Sequence, residues 1–499
     1  MKKIFLTNIL FLTIQVTIYA QKERVNWYFG HNAGMTWNKT QTIGTLNGLP
    51  TPLRGSQMST TEGCFILSDP NGVLLMYSNG ITIWNGMHEV IADNLSGDWS
   101  SAQSGIIVPF PDHPNQYIVF TISLNFNQVG INKQGNKFTY TIIDLSQPTS
   151  GGVGFGKVVN GFLDVPMNGT RGTLGECVAA VKHSNGKDYW IVTIGKGANT
   201  TINAWIVNSN GVSNNPVKIT STSIITDVKA GSNGYLRFSP DGRYFIWPES
   251  TSQKTIIGNF NATNGMCSNI KVLDNTTLGF YGVEFSKSGN VLYLCDLFSI
   301  RAYQTTVLFA SSNPNNVNYK NYDSYTYALG ALQRGPDDRI YAAVQNSKSG
   351  LLVIDNADNY GNYSINYING LITGTGTVQI GLPSFLSSPI TPWFYITIDG
   401  DSACCRDESK TFSVNLSSMA NARKVSWQFG DGTAVIFDTV FTQSSSVQKH
   451  TYTNEGIYHI TVEIYDLFNN IIAKTTKIVN VNFCTRYIYV NPHIRGYYK

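Results

Sequence analysis

The chain is poor in charge. Only 13% of its 499 residues are Asp, Glu, Lys or Arg, and 35 basic residues against 31 acidic ones leave a formal net charge of +4. No basic run or basic face stands out, which excludes an electrostatic nucleic-acid footprint. Beyond the N-terminus no apolar stretch reaches membrane-spanning length, so no membrane insertion is expected of the mature chain. Cysteine is scarce, and its 7 residues show no CxxC or His-rich spacing that would make a zinc site. His31, His88, His113 and His183 lie in separate loops without metal-ligand spacing. GxSxG, HExxH and P-loop motifs are missing, so nucleophilic and phosphate chemistry have no support. No metal and no cofactor is implied.

Glycine, asparagine, serine, threonine and tyrosine are plentiful, as in extracellular β-proteins rich in turns. The first residues agree with export. Lys2 and Lys3 precede an apolar run from Ile4 to Val16, and small Ala20 stands before Gln21, so residues 1–20 read as a secretory signal peptide. An exported chain places its cysteines in an oxidising compartment. Cys64, Cys177, Cys267 and Cys295 fall in different repeats and read as isolated buried thiols. Cys404 and Cys405 are adjacent, and a bridge from this pair to Cys484, as Cys405–Cys484, stands as an open alternative to free thiols.

What organises the chain is a hairpin. In YLRFSPDGRYFIW (235–247) two apolar-rich arms flank Pro240-Asp241-Gly242; proline presets φ, aspartate bonds the backbone ahead, and glycine takes the positive φ that closes the bend. The same grammar recurs at 62–77, 104–121, 175–193, 281–295 and 329–343. Gly234, Gly282, Gly330 and Gly381 are spaced by about 50 residues, the period of a four-stranded propeller blade. Residues 25–390 are therefore expected to form a β-propeller. Six hairpin units and one composite blade, with N-terminal strands from 25–37 pairing the Gly381 strand, make it seven-bladed; it is six-bladed if Ser104–Thr121 merely finishes the first unit. Asn125–Asn136 and Gly151–Gly156 read as a loop insertion.

After Pro389 and Pro392 the composition shifts. Alternation at Trp427 and Phe429, and at Tyr458, Ile460, Val462 and Ile464, reads as half-buried strands of an immunoglobulin-like sandwich over 393–484, leaving a short tail at 485–499. The fold class is all-β.

WQFGDG followed by HTYTNEGIYHITVEIYD resembles the PKD domain, an extracellular immunoglobulin-like module. NWYFGHNAGMTW, NGITIWNGMHEVI, FSPDGRYF, LQRGPDDRIYAA and GLPSF make the repeat region similar to the N-terminal propeller of secreted PKD proteins of the gliding-motility and type IX secretion group. That resemblance implies an exported protein with a glycan or an envelope or surface protein as partner. Such proteins often carry a C-terminal sorting domain, for which residues 485–499 are too short, so secretion, the cell surface and the periplasm all stay open.

Candidate site residues follow from the repeats. Glu62, Glu176 and Glu284 each sit beside a repeat-opening glycine, and Glu249 ends the fourth hairpin. Converging at a channel, two of them about 5 to 10 Å apart would suit a glycosidase or lyase. Otherwise they satisfy backbone donors or pair with Arg171 or Arg237. Trp84 and Trp99 flank a polar segment, 85–100, read as a loop, and are the expected exposed aromatics for stacking on a sugar or a protein. A non-catalytic binding or scaffold protein, adhesin-like, is the main expectation; a propeller enzyme and an accessory subunit of the gliding or secretion machinery are the alternatives.

Overall fold

The Pro240-Asp241-Gly242 turn forms as its residues dictate. Asp241 accepts the Ser239 hydroxyl at 2.6 Å and the Arg243 amide at 3.1 Å, while Gly242 takes φ 73° and donates to the Ser239 carbonyl at 2.8 Å. In the computed structural model the described residues are 22–484, without 70–71, 114, 124–136, 169–173, 197–199, 222–232, 275–277, 325, 388–397, 417–421, 441–444 and 466–470. The signal peptide, Arg171, the segment 125–136 and the tail 485–499 therefore lie outside the described residues.

The chain divides into two compact units, the larger drawn from residues 1–389 and the smaller containing 390–499. In the larger unit, the described strands make seven consecutive antiparallel sheets. Each of the six hairpins opens its own sheet, beginning with Phe65–Ser68, Gly105–Pro109, Ala179–Lys182, Arg237–Phe238, Gly282–Phe285 and Leu329–Arg334. Ser104–Thr121 thus starts a new sheet instead of finishing the preceding one. Gly151–Gly156 is the bend of a hairpin between Phe138–Pro148 and Phe155–Val158; the Val153 and Gly154 amides donate to the Glu89 carboxylate at 2.8 and 2.9 Å.

The first strands of successive sheets touch one another, and glycine makes that approach possible. A Cβ on Gly330 would sit 2.1 Å from the Ile380 carbonyl oxygen, and one on Gly381 would sit 1.5 Å from that of Glu62. Backbone bonds run between the same segments: Ala331 donates to Ile380 at 2.7 Å, and Ile380 to Thr61 at 3.0 Å. The segment from Thr377 to Phe385 meets two other sheets. Thr377 and His31 exchange both backbone bonds at 2.9 Å, and Ser384 bridges Phe65 in parallel. Trp27 is fully buried between Tyr341 and Phe385, with ring centroids 5.7 and 6.0 Å away. The core therefore joins residues far apart in sequence.

One turn departs from the repeat. Asp337 stands where Asp241 stands in its turn, but its carboxylate accepts the Tyr341 hydroxyl at 2.7 Å and the Arg339 guanidinium at 3.0 Å. Asp338 takes the left-handed corner instead, at φ 66°.

In the smaller unit, three strands (Ile398–Asp399, Ser409–Asn415, Ser445–Thr451) and five (Ala403–Cys405, Lys424–Gln428, Ile436–Thr439, Gly456–Tyr465, Ile471–Asn482) form two sheets. Ile460, Val462 and Ile464 are buried with Trp427, Phe429 and Phe412. The Trp427 indole donates to Ser446 Oγ at 2.9 Å. Cys405 and Cys484 are joined by a disulfide; Cys64, Cys177, Cys267, Cys295 and Cys404 are buried free thiols.

Candidate functional site

Where the first strands of the larger unit converge, polar side chains fill the middle. The Tyr235 hydroxyl donates to the Leu382 carbonyl at 3.0 Å and accepts the Leu382 amide at 3.1 Å. Gln103 accepts the Leu236 amide at 2.7 Å and donates to Ser384 Oγ at 3.3 Å. Both side chains are fully buried.

Two of the four expected glutamates lie near Tyr281. The Tyr281 hydroxyl donates to Glu62 Oε2 at 3.2 Å, and Glu176, only 2% exposed, lies within electrostatic reach of the same phenol. Burial pushes the Glu62 carboxyl up to about 7; the Tyr281 hydrogen bond opposes this and the Asp98 charge adds to it. A carboxyl raised in the folded state costs nothing below its unfolded pKa of 4.5 and costs most once pH exceeds about 7. Glu62→Gln stays neutral throughout. It should be more stable than the wild type by roughly 2 to 3 kcal/mol at pH 8, with the difference shrinking to near zero at pH 4. Urea unfolding at both pH values checks this, and a pH-independent difference would refute the assignment.

Glu249 and Glu284 do not join that pair. Glu249 accepts the Thr251 amide at 3.1 Å and the Ser252 amide at 2.7 Å, so it caps the turn that follows its strand. Glu284 lies 3.6 Å from Arg237 Nε and accepts the Phe285 amide at 2.9 Å and the Arg334 amide at 3.2 Å. Of the four glutamates, Glu62 and Glu176 lie near Tyr281, Glu249 accepts backbone amides of a turn and Glu284 lies beside Arg237.

Around Glu284 three arginines gather. Arg237, 3% exposed, donates to Gln333 Oε1 and lies over the Tyr235 ring at 5.3 Å. Arg24 donates to the Leu386 carbonyl; burial, then the charge of Arg334, hold its guanidinium down to about 10. Arg24, Arg237, Arg334, Glu284 and Gln333 line a cavity of about 10 Å³. Arg24 and Arg334 escaped the sequence reading. One signal was present: in LRFSPDG, VEFSKSG and LQRGPDD the aligned position holds Arg237, Glu284 and Gln333, polar in an otherwise apolar strand.

Trp99 is 45% exposed, as expected of a contact residue. Trp84 is not available: only 8% exposed, it stacks on Tyr77 at 5.2 Å. The segment 85–100, expected as a loop, contains the strand Val90–Ala92, whose pairing with Ile83–Asn85 folds the ring inward. A second cavity of about 380 Å³ is lined by Tyr28, Asn38, Leu53, Arg54, Val73 and His88, with His88 Nδ1 3.1 Å from the Tyr77 hydroxyl. Among the described residues no His, Cys, Asp and Glu cluster suits a metal, and no helix is long and apolar enough to cross a membrane.

Comparison with known proteins defines the smaller unit best. Residues 395–481 match the PKD domain family. No curated protein matches the chain. A putative 6-phosphogluconolactonase from Bacteroides fragilis aligns at TM-score 0.38 and 11% identity, over 84% of this chain and 94% of its own. The periplasmic gluconolactonase PpgL of Pseudomonas aeruginosa gives 0.34 and 11%, over 80% and 91%. The Cps50 (Swd1) β-propeller domain of Myceliophteria thermophila gives 0.35 and 10%, over 71% and 93%. This is an all-β protein with propeller-like neighbours and a C-terminal PKD domain; at these scores no chemistry passes from the neighbours to this chain.

Proposed function

We propose that this chain is a non-catalytic, extracytoplasmic binding protein whose seven sheets are the blades of one propeller. In this reading the segment Thr377–Phe385 joins the first sheet as its composite strand, and the turns between first and second strands present a face to a glycan or to an envelope or surface protein. Residues 1–20 direct export, and the mature chain acts at the surface, in the periplasm or in the medium, as an adhesin-like module or as an accessory of gliding or type IX secretion. The observation that carries the reading is the state of the centre: Tyr235 and Gln103 are buried and bonded to distant backbone, and Glu249 and Glu284 are committed to a turn and an ion pair.

A second reading rests on Glu62. A carboxyl held near 7 is the protonated partner that glycosidic cleavage needs, and Glu176 beside the same Tyr281 supplies the other carboxylate. A glycan array together with a hydrolysis screen on the mature chain separates the two. Binding without product release is expected; turnover that disappears in Glu62→Gln would replace the binding reading by the enzymatic one.

A further inference from the structure

The arginine cavity gathers three guanidiniums. Arg24, Arg237 and Arg334 face one lining carboxylate, Glu284. Two further acids lie in electrostatic range. Asp358, near Arg334, accepts the Ser288 amide at 2.9 Å and its hydroxyl at 2.6 Å. Glu23, beside Arg24, is itself buried at 4% exposure, with its carboxyl pushed up by that burial. The Nε atoms of Arg237 and Arg334 are buried without a hydrogen-bond partner. A buried donor left unmade is costly, and a guanidinium's planar fork binds oxygen anions and halides well in a low-dielectric setting. Here Phe238, Pro240 and Phe385 supply the apolar wall. The space takes about one water-sized particle, too little for a tetrahedral oxyanion.

We propose that this cavity is an anion site, taking a singly charged group one atom deep: a free halide, or one oxygen of a carboxylate on an acidic ligand. The half-buried Arg24, Pro240, Arg334 and Ser387 bring it to the surface, so a carboxylate can reach in from outside. Glu284 stays with Arg237 and holds its fork in place, while Arg334, a lining residue whose Nε has no hydrogen-bond partner, is left to meet the incoming group. The site stands without the binding reading; only an acidic glycan as the source of the carboxylate rests on that reading.

The test uses the mature full chain at constant ionic strength, with a bulky sulfonate replaced stepwise by bromide, chloride, formate or glucuronic acid. A saturable rise in melting temperature of about 2 to 4 °C is expected. Arg334→Gln should lose at least half of it. Crystals soaked in bromide should show an anomalous peak between the three guanidiniums. Glucuronic acid acting at lower concentration than formate assigns the acidic glycan, and halide acting at the lowest concentration assigns a free ion. Melting that ignores anion identity, or bromide found elsewhere and not among these arginines, overturns the proposal. Array binding to neutral glycans with no anion effect would remove this site and leave the binding reading intact.

Discussion

Replacing Gly381 by alanine should lower the unfolding free energy of the larger unit by about 3 kcal/mol or more. The added methyl would meet the Glu62 carbonyl oxygen at 1.5 Å and its carbon at 2.3 Å. Both belong to backbone, which cannot rotate aside as a side chain can. Yielding would pull apart the bonds from Ile380 and Gly381 to the Thr61 carbonyl, at 3.0 and 3.3 Å, and shift Ser384 away from Phe65. Gly186 is the right comparison. It turns at φ 75° with nothing within 4 Å of an added methyl, so Gly186→Ala costs only the strain of its conformation, about 1 kcal/mol. Urea unfolding of the two variants decides the point: if Gly381→Ala is no worse than Gly186→Ala, the close approach is not what makes glycine necessary.

Breaking the Cys405–Cys484 bridge should have an effect of similar size in the other unit. The linked residues are 79 apart in sequence, and a loop of that length restricts the unfolded chain enough to stabilise the fold by about 2 to 4 kcal/mol. The bridge fastens the short parallel pair of Ala403–Cys405 with Asn480–Asn482. Cys484→Ser should therefore speed amide exchange in Ile471–Asn482 and in its neighbour Gly456–Tyr465. Reducing agent should bring the wild type to the level of the variant. Cys404→Ser, which removes a buried but unbridged thiol, should leave the response to reducing agent unchanged. Exchange that is the same in Cys484→Ser and wild type would show that the bridge carries no stability.

The hairpins were legible because their information is local. Alternating apolar arms and a Pro-Asp-Gly corner specify two paired strands whatever lies beyond them, and 237–249 folds accordingly. Trp84 shows the limit of that logic. The segment that follows it is polar, yet strand pairing of Ile83 with Ala92 and Trp84 with Val90 turns the indole onto Tyr77. Asp337 likewise looks like Asp241 in sequence, but Arg339 and Tyr341 draw its carboxylate away from the turn. In both cases a neighbour supplied by the sheet outweighs the local preference.

The candidate site was less legible. Glutamates beside repeat-opening glycines were visible, but Arg24 precedes the first strand, and nothing near it in sequence points to Arg237 or Arg334. Their meeting depends on the segment ending at Ser387 returning past the first strands.

The sequence by itself determined the hairpins that open the sheets, the spacing of the glycines and the alternation that builds the PKD domain, since each depends on residues a few positions apart. Only the tertiary structure decided which glutamates lie near Tyr281, that Tyr235 and Gln103 are buried and bonded to distant backbone, and that three arginines share one cavity. Those facts arise from chain segments brought together by stacking sheets, where burial and unpaired charge depend on partners that no local pattern contains.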